Sequence, residues 1–126
     1  MKLIASWEIP VKTVSEANSS EHWTKKAKRH KLQKRWVRTT YPCDMPPPDP
    51  EAIYTICITR LAPRALDDHD NLPTSLKYIA DAISEQMYPG LAIGQADSAK
   101  NLKWAYYQIK RNPKEYAVQV QIWKNE

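Results

Sequence analysis

An amphipathic helix between residues 72 and 87 constrains the fold of this chain more than any other feature of its sequence. Six apolar residues recur there at helical spacing: Leu72, Leu76, Ile79, Ala80, Ile83 and Met87. At 3.6 residues per turn these side chains share one face, so the pattern predicts a helix that packs against a core. Asp70 or Asn71 can cap its first turn, and Pro73 lies where a missing N–H costs nothing.

Aspartates are concentrated directly before this helix. Asp67, Asp68 and Asp70 fall within four residues. Asp68 and Asp70 alternate with His69, so in an extended chain both carboxylates point the same way. Like charges held that close repel each other unless a cation lies between them. The alternative is that these aspartates serve only the helix, as a cap and as favourable charges for its dipole.

A third carboxylate comes from a separate loop. Asp97 follows the only two glycines of the chain, Gly90 and Gly94. A hard divalent ion such as Mg²⁺ prefers oxygen ligands, and carboxylates from two segments can complete its site together with water and phosphate. This third acid therefore strengthens the prediction of a metal site, with Mg²⁺ as the expected ion and Mn²⁺ as its substitute.

The net charge of +5 conceals a strong partition along the chain. Residues 1–41 hold ten Lys or Arg and three acids, residues 42–100 hold four and nine, and residues 101–126 hold five and two. An acidic centre between basic arms suits an enzyme that binds a polyanion and performs metal chemistry on it. At 126 residues the chain is predicted to form one domain, 1–126.

Two features that the sequence lacks narrow the class of protein. It contains no apolar run of membrane-spanning length and no signal-peptide pattern. Cys43 and Cys57 form no metal-spacing motif, which is typical of a reduced protein. We therefore expect a cytoplasmic protein that has no membrane partner.

A second helix, predicted from about Ser20 to Thr40, is strongly basic. Asn18 and Glu21 resemble a capping box at its start. Eight cations follow: Lys25, Lys26, Lys28, Arg29, Lys31, Lys34, Arg35 and Arg38. Solvated helix faces normally mix signs, whereas this helix has no acid after Glu21, and phosphates would neutralise its self-repulsion. We predict that these eight residues contact a nucleic-acid backbone without reading its sequence.

The apolar side of the basic helix is weak. Its apolar members form only a thin and split stripe: Trp23, Ala27, Leu32, Trp36 and Val37. Such a stripe is too thin for a helix that lies on a membrane. A solvated charged face, or a surface that faces another protein, stays open as the alternative to nucleic-acid contact.

Four strands complete the prediction, over residues 2–9, 53–61, 102–110 and 116–123. A proline-rich spacer at 42–50 precedes the second strand, because prolines exclude both helix and central strand there. The last two strands are predicted to form an antiparallel hairpin about the turn 111–114. The resulting β-α-β-α-β-β order predicts an α+β domain in which helices pack on a small mixed β-sheet.

Other metal and hydrolase motifs fail on spacing. An EF-hand loop that began at Asp68 would have Pro73 and Ile79 where it needs glycine and glutamate. A facial triad built on His69 and Asp70 lacks any later histidine. A serine or cysteine hydrolase would need a nucleophile elbow, which the sequence does not contain.

The acidic stretch and the helix after it resemble the RusA family of Holliday-junction resolvases, endonucleases common in phages and prophages. The five residues from Asp68 to Leu72, DHDNL, fit the family's D-x-D-N-L signature. Lys77 and Asp81 fit its K-x-x-x-D-A on the following helix, and Asp97 fits its later acidic position. The resemblance covers residues 50–124 well. The basic N-terminal part resembles the family only in character.

Two positions depart from the family's pattern. Lys77 stands six residues after Asn71, where a shorter spacing is usual, so one helical turn is inserted. Ala96 precedes Asp97, where the family often has a second acid. The first departure concerns the position of the lysine that the family uses in catalysis. The second concerns the strength of metal binding.

The resemblance implies a RusA-like fold and a Mg²⁺-dependent homodimer that binds four-way DNA junctions and nicks two opposed strands. Such a crossover-junction endodeoxyribonuclease acts in DNA recombination and repair. By resemblance, Asp68, Asp70 and Asp97 are the catalytic metal ligands, and Lys77 is the catalytic lysine that stabilises charge on the phosphate. A plain surface ion pair with Asp81 is the other role open to Lys77. For the whole protein, the alternative is a non-catalytic DNA-binding protein of a phage or prophage that keeps the fold.

Overall fold

The chain folds as a layer of helices on a four-stranded mixed sheet. The structure, a computed structural model, describes residues 1–16, 22–66, 71–89 and 101–125. Within these ranges the elements are β1 (Lys2–Ile9), α1 (Trp23–Thr40), β2 (Tyr54–Ala62), α2 (Asn71–Ser75), α3 (Lys77–Met87), β3 (Leu102–Lys110) and β4 (Ala117–Lys124). The predicted class, α+β with a small mixed sheet, is confirmed. The element order differs from the prediction because the second helix is divided into α2 and α3.

The strands lie in the order β1-β4-β2-β3. β4 is antiparallel to both β1 and β2, whereas β2 and β3 are parallel. A parallel pair needs a crossover connection, and α2 and α3 lie within the one between β2 and β3. β1 ends at Ile9 because Pro10 cannot donate to the sheet.

The predicted hairpin between residues 102–110 and 116–123 is wrong. Both segments contain strands, β3 and β4, but β2 lies between them. β3 ends beside Ala62, whose carbonyl accepts a hydrogen bond from the N–H of Arg111 at 2.9 Å. Residues 111–116 then cross the end of β2, about two strand spacings or 10 Å. A short connection thus joins two strands that do not pair with each other. The alternation of apolar and polar residues within a strand does not specify which strand lies beside it, so the sequence could not exclude this arrangement.

The apolar face predicted between residues 72 and 87 is confirmed. All six of its side chains are buried: Leu72, Leu76, Ile79, Ala80, Ile83 and Met87. The sheet contributes to the same core through Ile56, Ile58, Val118, Val120 and Ile122. Leu76 has a φ of −104° and a ψ of 0°, which interrupts the helix between α2 and α3. Burial of each larger side chain on this face contributes about 1.5–3 kcal/mol, so the face holds helices and sheet together.

The basic helix is present as α1, and in the described residues it begins at Trp23. Its N-cap is His22, whose Nδ1 accepts a hydrogen bond from the N–H of Thr24 at 3.3 Å. The predicted capping pair, Asn18 and Glu21, lies outside the described residues. The helix ends at Thr40, as predicted.

The inner face of α1 is more polar than its sequence suggests. Of the five apolar residues predicted to form its stripe, only Val37 is fully buried, while Trp23 and Leu32 are 71% and 51% exposed. Gln33 is fully buried instead, and its Nε2 donates a hydrogen bond to the carbonyl of Lys12 at 3.2 Å. The helix is therefore held by polar contacts as well as by apolar packing.

The proline-rich residues 42–50 form neither helix nor strand, as predicted. They are nevertheless attached to the core. Met45 packs against the core cluster, and the N–H of Asp49 donates a hydrogen bond to Oη of Tyr54 at 2.8 Å. This segment therefore closes one end of the sheet, where β2 begins.

Candidate nucleic-acid interface

The outward side of α1 carries most of the predicted DNA-binding residues. Five of the eight cations are exposed, and we call them the basic stripe: Lys25, Lys28, Lys31, Arg35 and Arg38. At 3.6 residues per turn and 1.5 Å per residue, they occupy an arc of about 140° along about 20 Å of helix. In the described part of the chain, none of them forms an ion pair. Among the described residues, the stripe is therefore a positive surface without acidic partners.

The other three predicted contacts are half-buried and interact with other groups of the protein. Arg29 donates two hydrogen bonds to Glu16, from Nε at 2.9 Å and from Nη2 at 2.7 Å. Lys34 Nζ lies 3.7 Å from Oε1 of Glu85. The third, Lys26, is half-buried on the inner side of the helix. The structure thus divides one charge run into an inner set and an outer set.

Glu16 is the centre of a polar cluster behind the stripe. His30 Nε2 lies 3.2 Å from Oε2 of Glu16, at ion-pair distance but without hydrogen-bond geometry. Burial raises the pKa of Glu16, but the hydrogen bonds and charge of Arg29, together with the nearby His30 ring, outweigh this and hold the pKa below its ordinary value of 4.5. His30 also stacks on Tyr78 of α3, with ring centroids 3.5 Å apart. These contacts fix α1 against its neighbours.

The arrangement of the stripe is unfavourable without a partner. Lys28, Lys31, Arg35 and Arg38 follow one another at i+3 or i+4 spacing, so like charges are neighbours along the helix surface. Each such pair destabilises a helix by about 0.2–0.5 kcal/mol. A row of phosphates removes this repulsion and releases counterions, which favours binding to a nucleic-acid backbone.

The predicted acidic ligands lie outside the described residues. These are Asp68 and Asp70 before α2, and Asp97 before β3. The structure does describe the residues on either side of the first pair, Leu66 and Asn71. It therefore shows the contacts of the residues that flank the acidic segment, residues 67–70.

The described residues on either side of the acidic segment are held by side chains. Gln108 on β3 accepts a hydrogen bond from the N–H of Leu66 at 2.8 Å and donates one to its carbonyl at 2.7 Å. On the other side, Ser15 Oγ donates a hydrogen bond to Oδ1 of Asn71 at 3.0 Å. Two separate parts of the chain thus contact the residues that flank this segment.

A buried arginine supports the chain just before Leu66. Arg60 on β2 is 5% exposed and donates hydrogen bonds to Oγ1 of Thr13 at 3.0 Å and to the carbonyl of Arg64 at 2.6 Å. Burial lowers the pKa of this guanidinium. Sequence reasoning missed Arg60, Gln108 and Ser15. Only Arg60 left a signal in the sequence. It is a charged residue that alternation places on the same face of β2 as Ile56 and Ile58, the face that packs on the core.

Lys77 is the first residue of α3 and is exposed. Its Nζ lies 5.9 Å from the centroid of the Tyr78 ring, and it forms no ion pair with Asp81 or with any other described residue. Together with Pro73, Thr74, Ala80, Trp104 and Tyr106 it lines a groove of about 260 Å³ beside β3. The first lining residue of the groove, Pro73, follows Asn71 by two residues in the sequence.

Residues 90–100, which include Asp97, also join the described chain at a fixed point. The carbonyl of Asn101 accepts a hydrogen bond from the N–H of Tyr54 at 2.9 Å, and Nδ2 of Asn101 donates one to Oη of Tyr88 at 2.7 Å. Asn101 and Gln108 are separated by about 23 Å along the strand. The acidic segment and residues 90–100 therefore adjoin the described structure near opposite ends of β3.

No protein-family model and no curated protein matches this sequence. The likeness to the RusA family consequently rests on the residues named above. Within the described ranges, no three His, Cys, Asp or Glu side chains come together as a metal site. The same ranges contain no helix that is long and apolar enough to cross a membrane.

Proposed function

We propose that the protein is a Mg²⁺-dependent endonuclease that binds branched DNA, such as a four-way junction, and resolves it by paired nicks. The observation that carries the proposal is the basic stripe, which presents five cations on one surface with no ion pair in the described structure. About 20 Å of stripe spans the length of about six base pairs along a duplex. This surface supports binding to DNA.

The stripe would position DNA without selecting its sequence. Lys and Arg side chains on one helix face contact phosphates, which carry no base identity. Selectivity would then come from the shape of the branched DNA and from the placement of two active sites. Paired nicks in opposed strands need two active sites, which is why we propose a homodimer.

The chemistry is assigned to the acidic segment and to Asp97. Asp68, Asp70 and Asp97 would hold Mg²⁺, or Mn²⁺ in its place, because hard cations prefer carboxylate oxygens. When bound, the ion would supply a polarised phosphate and an activated water. Gln108 and Arg60 support this assignment because they fix the chain that leads into the acidic segment.

Lys77 would stabilise the negative charge that develops on the scissile phosphate. An exposed ammonium group without an ion-pair partner in the described structure is available for this role. The groove beside it gives the DNA strand a path between α3 and β3. A metal site that Asp97 shares with Asp68 and Asp70 further requires residues 97–100 to approach this groove. Asp97 lies four residues before Asn101, and a chain extends at most about 3.6 Å per residue, which limits how far Asp97 can lie from Asn101.

A second candidate is a non-catalytic DNA-binding protein. The basic stripe favours it equally, because the stripe needs neither a metal nor the aspartates. The two candidates differ in whether loss of Asp70 and Asp97 changes what the protein does to DNA.

Cleavage of a synthetic four-way junction in Mg²⁺ tests the proposal. The native protein is compared with Asp70→Asn, which removes one charge while keeping the shape of the side chain. We expect both proteins to bind the junction and only the native protein to make paired nicks. Binding without nicks by either protein, in Mg²⁺ and in Mn²⁺, would leave the non-catalytic candidate.

A further inference from the structure

A pocket of about 390 Å³ lies at the end of the sheet where β2 begins. We call it the proline pocket. Its walls are formed by Ile4, Tyr41, Met45, Tyr54, Met87 and residues 46–48. The acidic segment follows the other end of β2, about 25 Å away along the strand. The proline pocket therefore lies at the opposite end of β2 from the acidic segment, at the end where the carbonyl of Asn101 accepts a hydrogen bond from the N–H of Tyr54.

The walls of the proline pocket suit a flat ring. They combine two phenol rings, three successive proline rings and two thioethers, and its volume is near the lower limit of ligand pockets. Tyr41 adds a phenol hydroxyl, which can donate a hydrogen bond at neutral pH, and burial raises its pKa to about 12. The hydroxyl of Tyr54, in contrast, already accepts a hydrogen bond from Asp49.

The rim of the proline pocket carries excess positive charge. Lys2 and Lys124 both line it and stand directly opposite each other in the β1–β4 register. Like charges at such positions destabilise a strand pair. Asp49 neutralises one of them, since its Oδ2 lies 3.7 Å from Nζ of Lys124, whereas Lys2 forms no ion pair among the described residues. An anion at the rim would remove the remaining repulsion.

The proline pocket is continuous with the basic stripe along the chain. Arg38 is the last cation of the stripe, and Tyr41 follows it by three residues as the C-cap of α1. A polynucleotide strand that runs along the stripe toward the end of the helix would next meet this wall of the pocket. The apolar walls and the charged rim together suit an occupant that combines a flat ring with a phosphate.

We propose that the proline pocket binds one unpaired nucleotide of single-stranded DNA. The base packs between Tyr41 and the proline and methionine side chains, and the phosphate lies between Lys2 and Lys124. This inference rests on the proposed DNA-binding function and extends it, because it makes an unpaired strand part of the substrate. Ring-on-aromatic packing of this kind tolerates any base.

The three methionines of the chain provide a direct test. Met45 and Met87 line the proline pocket, whereas Met1 is 69% exposed and is not among its lining residues. Protein labelled with ¹³C at the methionine methyl groups is titrated with thymidine 5′-monophosphate, with thymidine and with inorganic phosphate. We expect the monophosphate to shift the Met45 and Met87 signals and to leave the Met1 signal in place.

Charge variants separate the phosphate contact from the base contact. Lys2→Gln should weaken binding of the monophosphate roughly three- to tenfold and leave thymidine binding unchanged. Lys110→Gln removes an exposed lysine at the far end of β3 and is the matched control, with no expected effect. A short oligodeoxythymidine should shift the same two methionine signals, whereas a blunt duplex should not.

Three outcomes would overturn the inference. The first is the absence of Met45 and Met87 shifts with millimolar monophosphate. The second is an equal loss of affinity in Lys2→Gln and Lys110→Gln. The third is a shift of the Met45 and Met87 signals with the monophosphate but none with the oligonucleotide, which would exclude single-stranded DNA as the ligand of the pocket. Junction binding through α1 is measured separately, so that failure at the pocket and failure of the proposed function are distinct results.

Discussion

Gln108 holds the backbone of Leu66 through both of its polar groups, with hydrogen bonds of 2.8 Å from the Leu66 N–H and 2.7 Å to the Leu66 carbonyl. A β3 side chain thereby fixes the residue that directly precedes the acidic segment. The contact joins parts of the chain that are 42 residues apart. Its removal should affect the acidic segment more than the rest of the fold.

We therefore expect Gln108→Leu to lower cleavage of a four-way junction by at least about tenfold while junction binding is retained, because misplaced ligands slow chemistry strongly. The free energy of unfolding should fall by about 1–2 kcal/mol, as two hydrogen bonds are lost. Gln119→Leu on β4 is the matched control, and it should change neither quantity. Cleavage rates and urea unfolding measure both effects. Unchanged cleavage by Gln108→Leu would contradict the proposed role.

Arg60→Met should lower the free energy of unfolding by about 2–4 kcal/mol, because it leaves the buried Thr13 hydroxyl and the partly buried Arg64 carbonyl without their donor. Arg60→Lys should be nearly as harmful, since one ammonium group cannot reach both acceptors. Arg64→Gln is the control: Arg64 contributes its carbonyl, and its side chain is exposed. Urea unfolding of the three variants tests the prediction, and a loss below about 0.5 kcal/mol in Arg60→Met would contradict it.

Lys31→Gln combined with Arg35→Gln should weaken binding to a four-way junction roughly tenfold and reduce the slope of log affinity against log salt by about 1.8. The same double variant should be more stable by about 0.5–1 kcal/mol, because like-charge pairs along α1 are removed. Lys103→Gln combined with Lys110→Gln removes the same charge from β3 and should leave the salt slope unchanged. An equal fall in slope for both double variants would show that only net charge matters.

Glu16→Gln should destabilise the protein by about 1–3 kcal/mol at neutral pH, because Arg29 loses its charged acceptor. The folded-state pKa of Glu16 lies below its ordinary value of 4.5, so the native carboxylate contributes stability above that pH and loses it as pH falls through the folded value. The difference between native protein and variant should therefore shrink below about pH 4.5. Unfolding measured across acidic pH tests this dependence.

Glu85→Gln provides the comparison for Glu16. Its partner Lys34 lies 3.7 Å away and both side chains are about one-third exposed, so the loss should stay below about 0.5 kcal/mol. The stability difference between native protein and Glu85→Gln should not depend on pH as strongly as the difference for Glu16→Gln. An equally strong dependence would show that general acid denaturation, and not the Arg29 contact, is being measured.

Local sequence patterns determined the elements of this protein. The apolar spacing from Leu72 to Met87 fixed a buried helical face, and strand β3 has the predicted bounds, 102–110. The charge run on α1 also predicted a basic helix. These features depend on residues that are close in sequence, where periodicity directly reports which side chains share a face.

Tertiary structure decided how those elements meet. It inserted β2 between β3 and β4. It paired Arg29 with Glu16, which leaves the basic stripe as the outward surface, and it buried Arg60 and bound Gln108 to Leu66. Each of these contacts joins residues at least 13 positions apart or depends on the neighbour of a strand. Such contacts arise only when whole faces pack together, because no local pattern specifies which distant partner a polar group or a strand edge will meet.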